Sequence, residues 1–181
     1  QAHCMQMKKQ IPDAFTIFIG PCISKKAEAD LSEGIIDCVL TFEELAGWMA
    51  EEDITFDHIE DQIEIGRARL FPTAGGIIRS MDCKRKDYSY ITIDGTDNCI
   101  HALEGIINGE ISKCFIEMSA CSGSCIGGPA MGEGYRVTIQ DHLAVENFAG
   151  ERDFPIAMPS KEELSRDLTY QERKSRIPGN D

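Results

Sequence analysis

Apolar positions fall into short blocks that alternate between two periods. Phe15-Thr-Ile-Phe-Ile19 is an almost unbroken apolar run that stops at Gly20-Pro21, which predicts a buried strand over residues 15–20. A short helix or loop is expected from Ala27 onward, then a second strand over 37–40. Thr41-x-x-Glu44 has the form of a capping box. The spacing of Phe42, Leu45, Ala46 and Met49 predicts a helix behind it as far as Glu51. Residues 52–71 are acidic and weakly patterned, so a loop-rich excursion is expected there. A glycine turn opens a short helix over 75–81, and residues 88–94 alternate as a strand. Residues 98–107 read as a helix with Cys99, Leu103 and Ile106 facing inward, and 111–118 as the last clear strand. Beyond Arg136 the signals fade until Ser160-x-x-Glu163, which should cap a polar helix carrying Leu164 and Leu168. Residues 2–9 read as helix already under way at Gln1. Alternating strands and helices predict the α/β class, a small, mostly parallel sheet flanked by helices.

Length and charge narrow the range of functions. The 181 residues suit a single domain over 1–181 with room for a real core, and no repeat, low-complexity tract or interdomain linker interrupts it. The chain starts at Gln1 in a helical stretch rather than at a methionine, which reads as a piece of a longer polypeptide. Acidic residues outnumber basic ones 31 to 18, a net charge of −13, and no basic stripe is present. Nucleic acid and anionic membrane surfaces are therefore poor partners. No apolar run approaches the ~20 residues of a membrane span, and no signal peptide is visible, so the expected location is the cytoplasm.

Eight cysteines raise the question of disulfides. The chain is longer and richer in helix than small secreted scaffolds that need stapling, so free thiols are expected. Cys38, Cys99 and Cys114 sit inside apolar patterns and read as small buried hydrophobes, and Cys83 reads as a surface-loop thiol. Cys22, Cys121 and Cys125 differ. Each follows a β-favouring run and lies in Gly/Pro/Ser turn chemistry: Gly20-Pro21-Cys22-Ile-Ser-Lys25-Lys26 and Cys121-Ser-Gly-Ser-Cys125-Ile-Gly-Gly-Pro129. In a parallel sheet, ligands collect at strand C-termini. Thiols brought there by backbone with little side-chain bulk suit an iron–sulfur cluster, which needs thiolates and close backbone N–H groups.

The same residues carry a family resemblance. Gly-Pro-Cys-x-x-Lys-Lys-x-Glu, from Gly20 to Glu28, resembles the second cysteine motif of [FeFe]-hydrogenases. Glu117-Met-Ser-Ala-Cys-x-x-x-Cys-x-Gly-Gly resembles the third, and Pro72-Thr-Ala-Gly-Gly76 resembles the glycine turn between them. The resemblance implies a fragment of the C-terminal H-cluster domain, with the cluster lobe over about 10–135 and an extension over 136–181. It implies a fold built as one lobe of the hydrogenase catalytic domain. The cofactors it implies are a [4Fe-4S] cluster and a diiron subcluster in the intact parent, with the isolated fragment cluster-free and inactive. By motif position Cys22 and Cys121 resemble cubane ligands and Cys125 the thiolate bridging to diiron. Lys25 resembles the lysine that hydrogen-bonds a cyanide on the distal iron, and Glu28 a carboxylate of the proton path. The bland alternative for Lys25-Lys26 is a solvated pair, and for Glu28 a surface helix position. Cys4 matches a non-ligand position.

The family's first motif, Thr-Ser-Cys-Cys-Pro, is expected upstream of Gln1. The implied partners are thus the remainder of the parent polypeptide, and ferredoxin-type or sensory signalling domains. Gly20 and Ser119 stand where prototypical members carry methionines against the diiron unit. Those departures resemble the divergent, sensory hydrogenases. Three readings stay open: a fragment of a proton/H2 oxidoreductase, a hydrogen or redox sensor, and a non-catalytic iron–sulfur protein of electron transfer or assembly.

Overall fold

In the computed structural model, residues 1–32, 34–55, 66–82, 84–132, 134–150 and 160–161 are described. Strand β1 (Ile17–Ile19) pairs in parallel with β2 (Cys38–Leu40), Ile17 opposite Cys38 and Ile19 opposite Leu40. Helix α1 (Ala2–Gln10) precedes them and α2 (Ser24–Asp30) connects them. Helix α2 starts at Ser24, three residues before the position expected from the sequence. Asp37, at the mouth of β2, ties these pieces together. Its carboxylate accepts from Lys8 Nζ of α1 at 2.8 Å, from the Thr16 backbone N–H at 2.7 Å and from the Thr16 hydroxyl at 2.9 Å.

Those donors lower the Asp37 carboxyl from its ordinary 3.8 to about 2, the Lys8 hydrogen bond contributing most. A depressed folded-state value stabilises the fold above the ordinary carboxyl range, and the contribution is lost as pH falls through about 2. In an NMR titration the Asp37 carboxyl should therefore still be ionised when free carboxylates have protonated. Asp37→Asn should abolish this acid-resistant contact and loosen α1 at neutral pH. An ordinary midpoint for Asp37 would overturn the assignment.

The capping box at Thr41 is formed as expected. Its hydroxyl accepts from the Glu44 N–H, and the Glu44 carboxylate accepts from the Thr41 N–H, opening α3 (Phe42–Glu51). Within the expected excursion, Arg67–Leu70 form a 3-10 turn that buries Leu70, and α4 (Gly76–Ser80) follows. Helix α4 must pass close to that turn. A Cβ on Gly76 would lie 1.7 Å from the Leu70 carbonyl oxygen, so only glycine fits. Strand β3 (Ser89–Asp94) and β4 (Cys114–Ser119) then pair in parallel from Ser89–Cys114 to Asp94–Ser119, with α5 (Thr96–Ile107) as the crossover.

The α/β class and the parallel pairing hold, but among the described residues the strands form two separate two-stranded ribbons, β1–β2 and β3–β4. A narrow ribbon covers little apolar surface, and burial departs from expectation for that reason. Strand β1 was expected to be buried, yet Ile17 and Ile19 are each 43% exposed. In α5 the buried positions are Ala102 and Gly105, while Leu103 and Ile106 stand half exposed and Cys99 half buried. Small residues win there because α5 lies close against its neighbours: a Cβ on Gly105 would come within 2.9 Å of Ile111 Cδ1. Cys38 and Cys114 are likewise only half buried, and the seven described cysteines are all free thiols.

Helix α6 (Ile139–Ala149) occupies a stretch where no element was expected. Thr138 and Asp141 form its capping box, with aspartate in place of the usual glutamate. It packs on the 3-10 turn, where the Arg69 guanidinium sits 4.5 Å over the Phe148 ring and Ala149 is fully buried. Residues 139–149 therefore belong to the body of the fold. The helix expected after Ser160 and the expected surface thiol Cys83 lie outside the described residues. Among the described residues no helix is long and apolar enough to cross a membrane.

Candidate functional site

Three loops meet at the C-terminal ends of the two ribbons. Cys22 follows β1 by three residues, and Cys121 follows β4 by two. Parallel pairing brings both to strand C-termini, where side chains and backbone N–H groups are free of the ladder. The Ala130 N–H donates to the Pro21 carbonyl at 3.2 Å, joining the two cysteine loops. Gly128 makes that approach possible, since a Cβ there would lie 2.5 Å from the Pro21 oxygen. The third loop is the glycine turn at 72–76: the Ile126 N–H, next to Cys125, donates to the Pro72 carbonyl at 3.1 Å.

The Cys121 thiol is pushed above its ordinary value, first by burial and then by the nearby Cys22 and Cys125 sulfurs. Cys121 and Cys22 are half buried and Cys125 is exposed. Among the described residues, no cysteine, histidine or carboxylate cluster is drawn close enough to hold a metal ion as it stands. Collecting three potential thiolates is unfavourable unless positive charge joins them, which metal or cluster iron supplies while releasing thiol protons. The donor set thus fits an iron–sulfur centre.

The raised thiol gives a direct check. Alkylation of Cys121, followed by mass spectrometry across pH, should show a midpoint above that of an ordinary thiol. Replacing Cys22 and Cys125 by serine should lower this midpoint only partway, because burial is the larger cause. A midpoint unmoved by both substitutions would mean that the three thiols do not converge.

Helix α2 begins directly after Cys22, with the Lys25 N–H bonded to the Cys22 carbonyl at 3.2 Å. The Lys25 ammonium reaches Glu28 Oε2, one turn along α2. Glu28 is 7% exposed, so it is not a surface residue, and Lys26, itself partly exposed, pairs with Glu44 of α3. Among the candidate residues, Cys22 and the Cys121–Cys125 turn lie on loops joined by the Ala130–Pro21 hydrogen bond, and Lys25 and Glu28 form a pair beside Cys22.

Two other residues, Glu117 and Asp94, shape the site without having been assigned a role from the sequence. Glu117 is only 4% exposed on β4, and its two carboxylate oxygens accept the backbone N–H groups of Gly75 (3.1 Å) and Ile78 (2.9 Å). It pins the glycine turn to the strand that leads to Cys121. Asp94, ending β3, accepts the Gly123 N–H at 2.6 Å inside the Cys121–Cys125 turn. A charged residue inside an apolar strand run was the one available hint for Glu117.

The family model described as iron only hydrogenase large subunit, C-terminal domain, matches residues 1–129. Iron hydrogenase 1 of Clostridium pasteurianum is 26% identical over an alignment of 161 positions that covers 64% of this chain and 28% of that protein. A solved structure titled for stepwise [FeFe]-hydrogenase H-cluster assembly, that of HydA(deltaEFG), shares the fold. The TM-score is 0.51 at 16% identity, over 77% of this chain and 55% of the other. The chain thus spans well under two thirds of the length of both.

Proposed function

Because the chain belongs to the family of iron-only hydrogenase large subunits, C-terminal domain, we propose that it forms one wall of an H-cluster site in a longer parent protein. The observation that carries this reading is the Ala130–Pro21 hydrogen bond, which joins the Cys22 loop of one ribbon to the Cys121–Cys125 loop of the other. In this reading Cys22 and Cys121 ligate a [4Fe-4S] cluster, and Cys125 bridges it to a diiron unit. The remaining ligand comes from the first cysteine motif, elsewhere in the parent polypeptide. When bound, the group supplies reversible proton and H2 redox chemistry. The domain extends through α6, and the parent works in the cytoplasm, where thiols stay reduced.

Lys25 and Glu28 serve that site from the first turns of α2. An ammonium has three donors, so Lys25 can keep Glu28 while giving a second N–H to an anionic ligand such as cyanide. Glu28, buried and paired, then holds a carboxylate on the path by which protons arrive.

A sensing role suits the site better than fast turnover. Gly20 is buried with the Phe18 ring 3.0 Å from where a Cβ would sit, so a longer side chain there asks the ring to give way. Ser119 turns its hydroxyl to Ser124 at 2.9 Å. Neither position offers the methionine sulfur that prototypical sites pack against diiron, which leaves a wetter pocket. Appended signalling domains are the partners this reading calls for.

The test compares the isolated chain with the full-length protein, both prepared anaerobically with maturation. The isolated chain should lack the centre, because one wall and one ligand are missing. The full-length protein should carry a cubane of about four irons plus diiron and turn over H2 slowly. A full-length protein without an iron–sulfur charge-transfer band would refute the cluster reading. Turnover as fast as a prototypical hydrogenase would refute the sensing role.

A further inference from the structure

The turn between Cys121 and Cys125 contains a strained, buried serine. Ser124 has φ +64°, the left-handed region that costs any residue with a Cβ, and its side chain is 2% exposed. Its hydroxyl lies 2.9 Å from Ser119 Oγ, at the end of β4. The backbone around it is held as well: the Ser124 N–H donates to the Cys121 carbonyl at 3.1 Å, and the Gly123 N–H to Asp94 Oδ2. Glycine would take this conformation without strain, yet serine occupies it.

We infer that Ser119 and Ser124 work as one positioning unit, a hydroxyl pair that holds the Cys121–Cys125 turn in its cluster-receiving shape. The inference rests on the cluster reading for its purpose, but not for its mechanics. Ser119 is half exposed and can turn to water if its partner goes, whereas Ser124 cannot. The two substitutions are therefore unequal. Ser119→Ala strands a buried hydroxyl on a residue already in a costly conformation, and the turn escapes by leaving it. Ser124→Gly removes both the strain and the need for a partner. In the double variant nothing buried is left unpaired, so glycine at 124 should rescue the loss at 119.

Two readouts separate this unit from the reading it rests on. Amide hydrogen exchange on the 181-residue chain needs no metal. Ser119→Ala should speed exchange at Ser124 and Ile126 about tenfold, equivalent to about 1.4 kcal/mol. Ser119→Thr, which keeps the hydroxyl, and Ser119→Ala/Ser124→Gly should both return it to within about threefold of the parent rate. In the matured full-length protein, the paramagnetic resonance spectrum of the reduced cubane should broaden in Ser119→Ala and sharpen again in the double variant. If the two substitutions add in the exchange experiment, the paired unit is overturned, whatever the metal content. If exchange shows the rescue but no variant, parent included, binds iron, the unit stands and the cluster reading falls. An unchanged spectrum in an iron-loaded Ser119→Ala would overturn the positioning role.

Discussion

Replacing Glu117 by leucine should destabilise the protein by about 3–5 kcal/mol, since two N–H groups lose a charged acceptor. The carboxylate is nearly buried and takes one N–H on each oxygen, from Gly75 and Ile78. Leucine fills similar space but accepts nothing, so both donors are left without a partner in a region that water reaches poorly. A loss of that size is a large share of the ~5–15 kcal/mol of a typical domain. Glutamine keeps one carbonyl acceptor and should lose roughly half as much. The effect should spread to the cysteine loop, because the glycine turn that Glu117 pins also supplies the Pro72 carbonyl to Ile126. Urea unfolding with an unchanged slope should report the stability term. Faster alkylation of Cys125 in Glu117→Gln, which remains folded, should report the spread. A leucine variant within about 1 kcal/mol of the parent would show that Glu117 does not hold the turn.

The second large effect belongs to Cys125. In the matured full-length protein, Cys125→Ala should abolish the diiron unit, because only the bridging thiolate joins it to the cubane. Cys121→Ala or Cys22→Ala should instead lose the cubane and everything attached to it. Lys25→Ala should weaken diiron retention by a charge-assisted hydrogen bond of about 1.5–3 kcal/mol, or roughly 10- to 100-fold. Infrared bands of iron-bound carbonyl and cyanide, with iron content per chain, distinguish these outcomes. Full diiron bands in Cys125→Ala would remove that residue from the assignment. Lys25→Ala should also take one cation away from the Glu28 carboxylate, so Lys25→Arg is the control that keeps the charge.

Local chemistry was readable where it was self-contained. Thr41 and Glu44 satisfy each other's backbone groups within a single turn, so the start of α3 followed from four residues. The same logic holds at Thr138 and Asp141, but the shorter acid and the weak apolar pattern behind it hid α6. The stripe of Leu103 and Ile106 along α5 was visible, yet periodicity marks a face without saying what covers it. With only a two-stranded ribbon beside it, the helix buries Ala102 and Gly105 instead. The division of the strands into two ribbons was beyond reach for a related reason. Strand pairing is set by contacts between segments far apart in the chain, and each segment reads the same in either arrangement.

Residue order alone determined which groups have the chemistry: Cys22, Cys121 and Cys125 in glycine-bearing turns at strand ends, with Lys25 and Glu28 beside the first. Turn and cap preferences act over a few residues, so they survive in the sequence whatever the chain does elsewhere. Whether the cysteine loops meet was decided only in three dimensions. The Ala130–Pro21 and Ile126–Pro72 hydrogen bonds close three loops on one another, Gly128 leaves space for the first contact, and Glu117 pins the glycine turn from within β4. Each is a contact between distant segments whose loop-closure entropy is offset only when the rest of the fold is in place. No short stretch of residues could announce them.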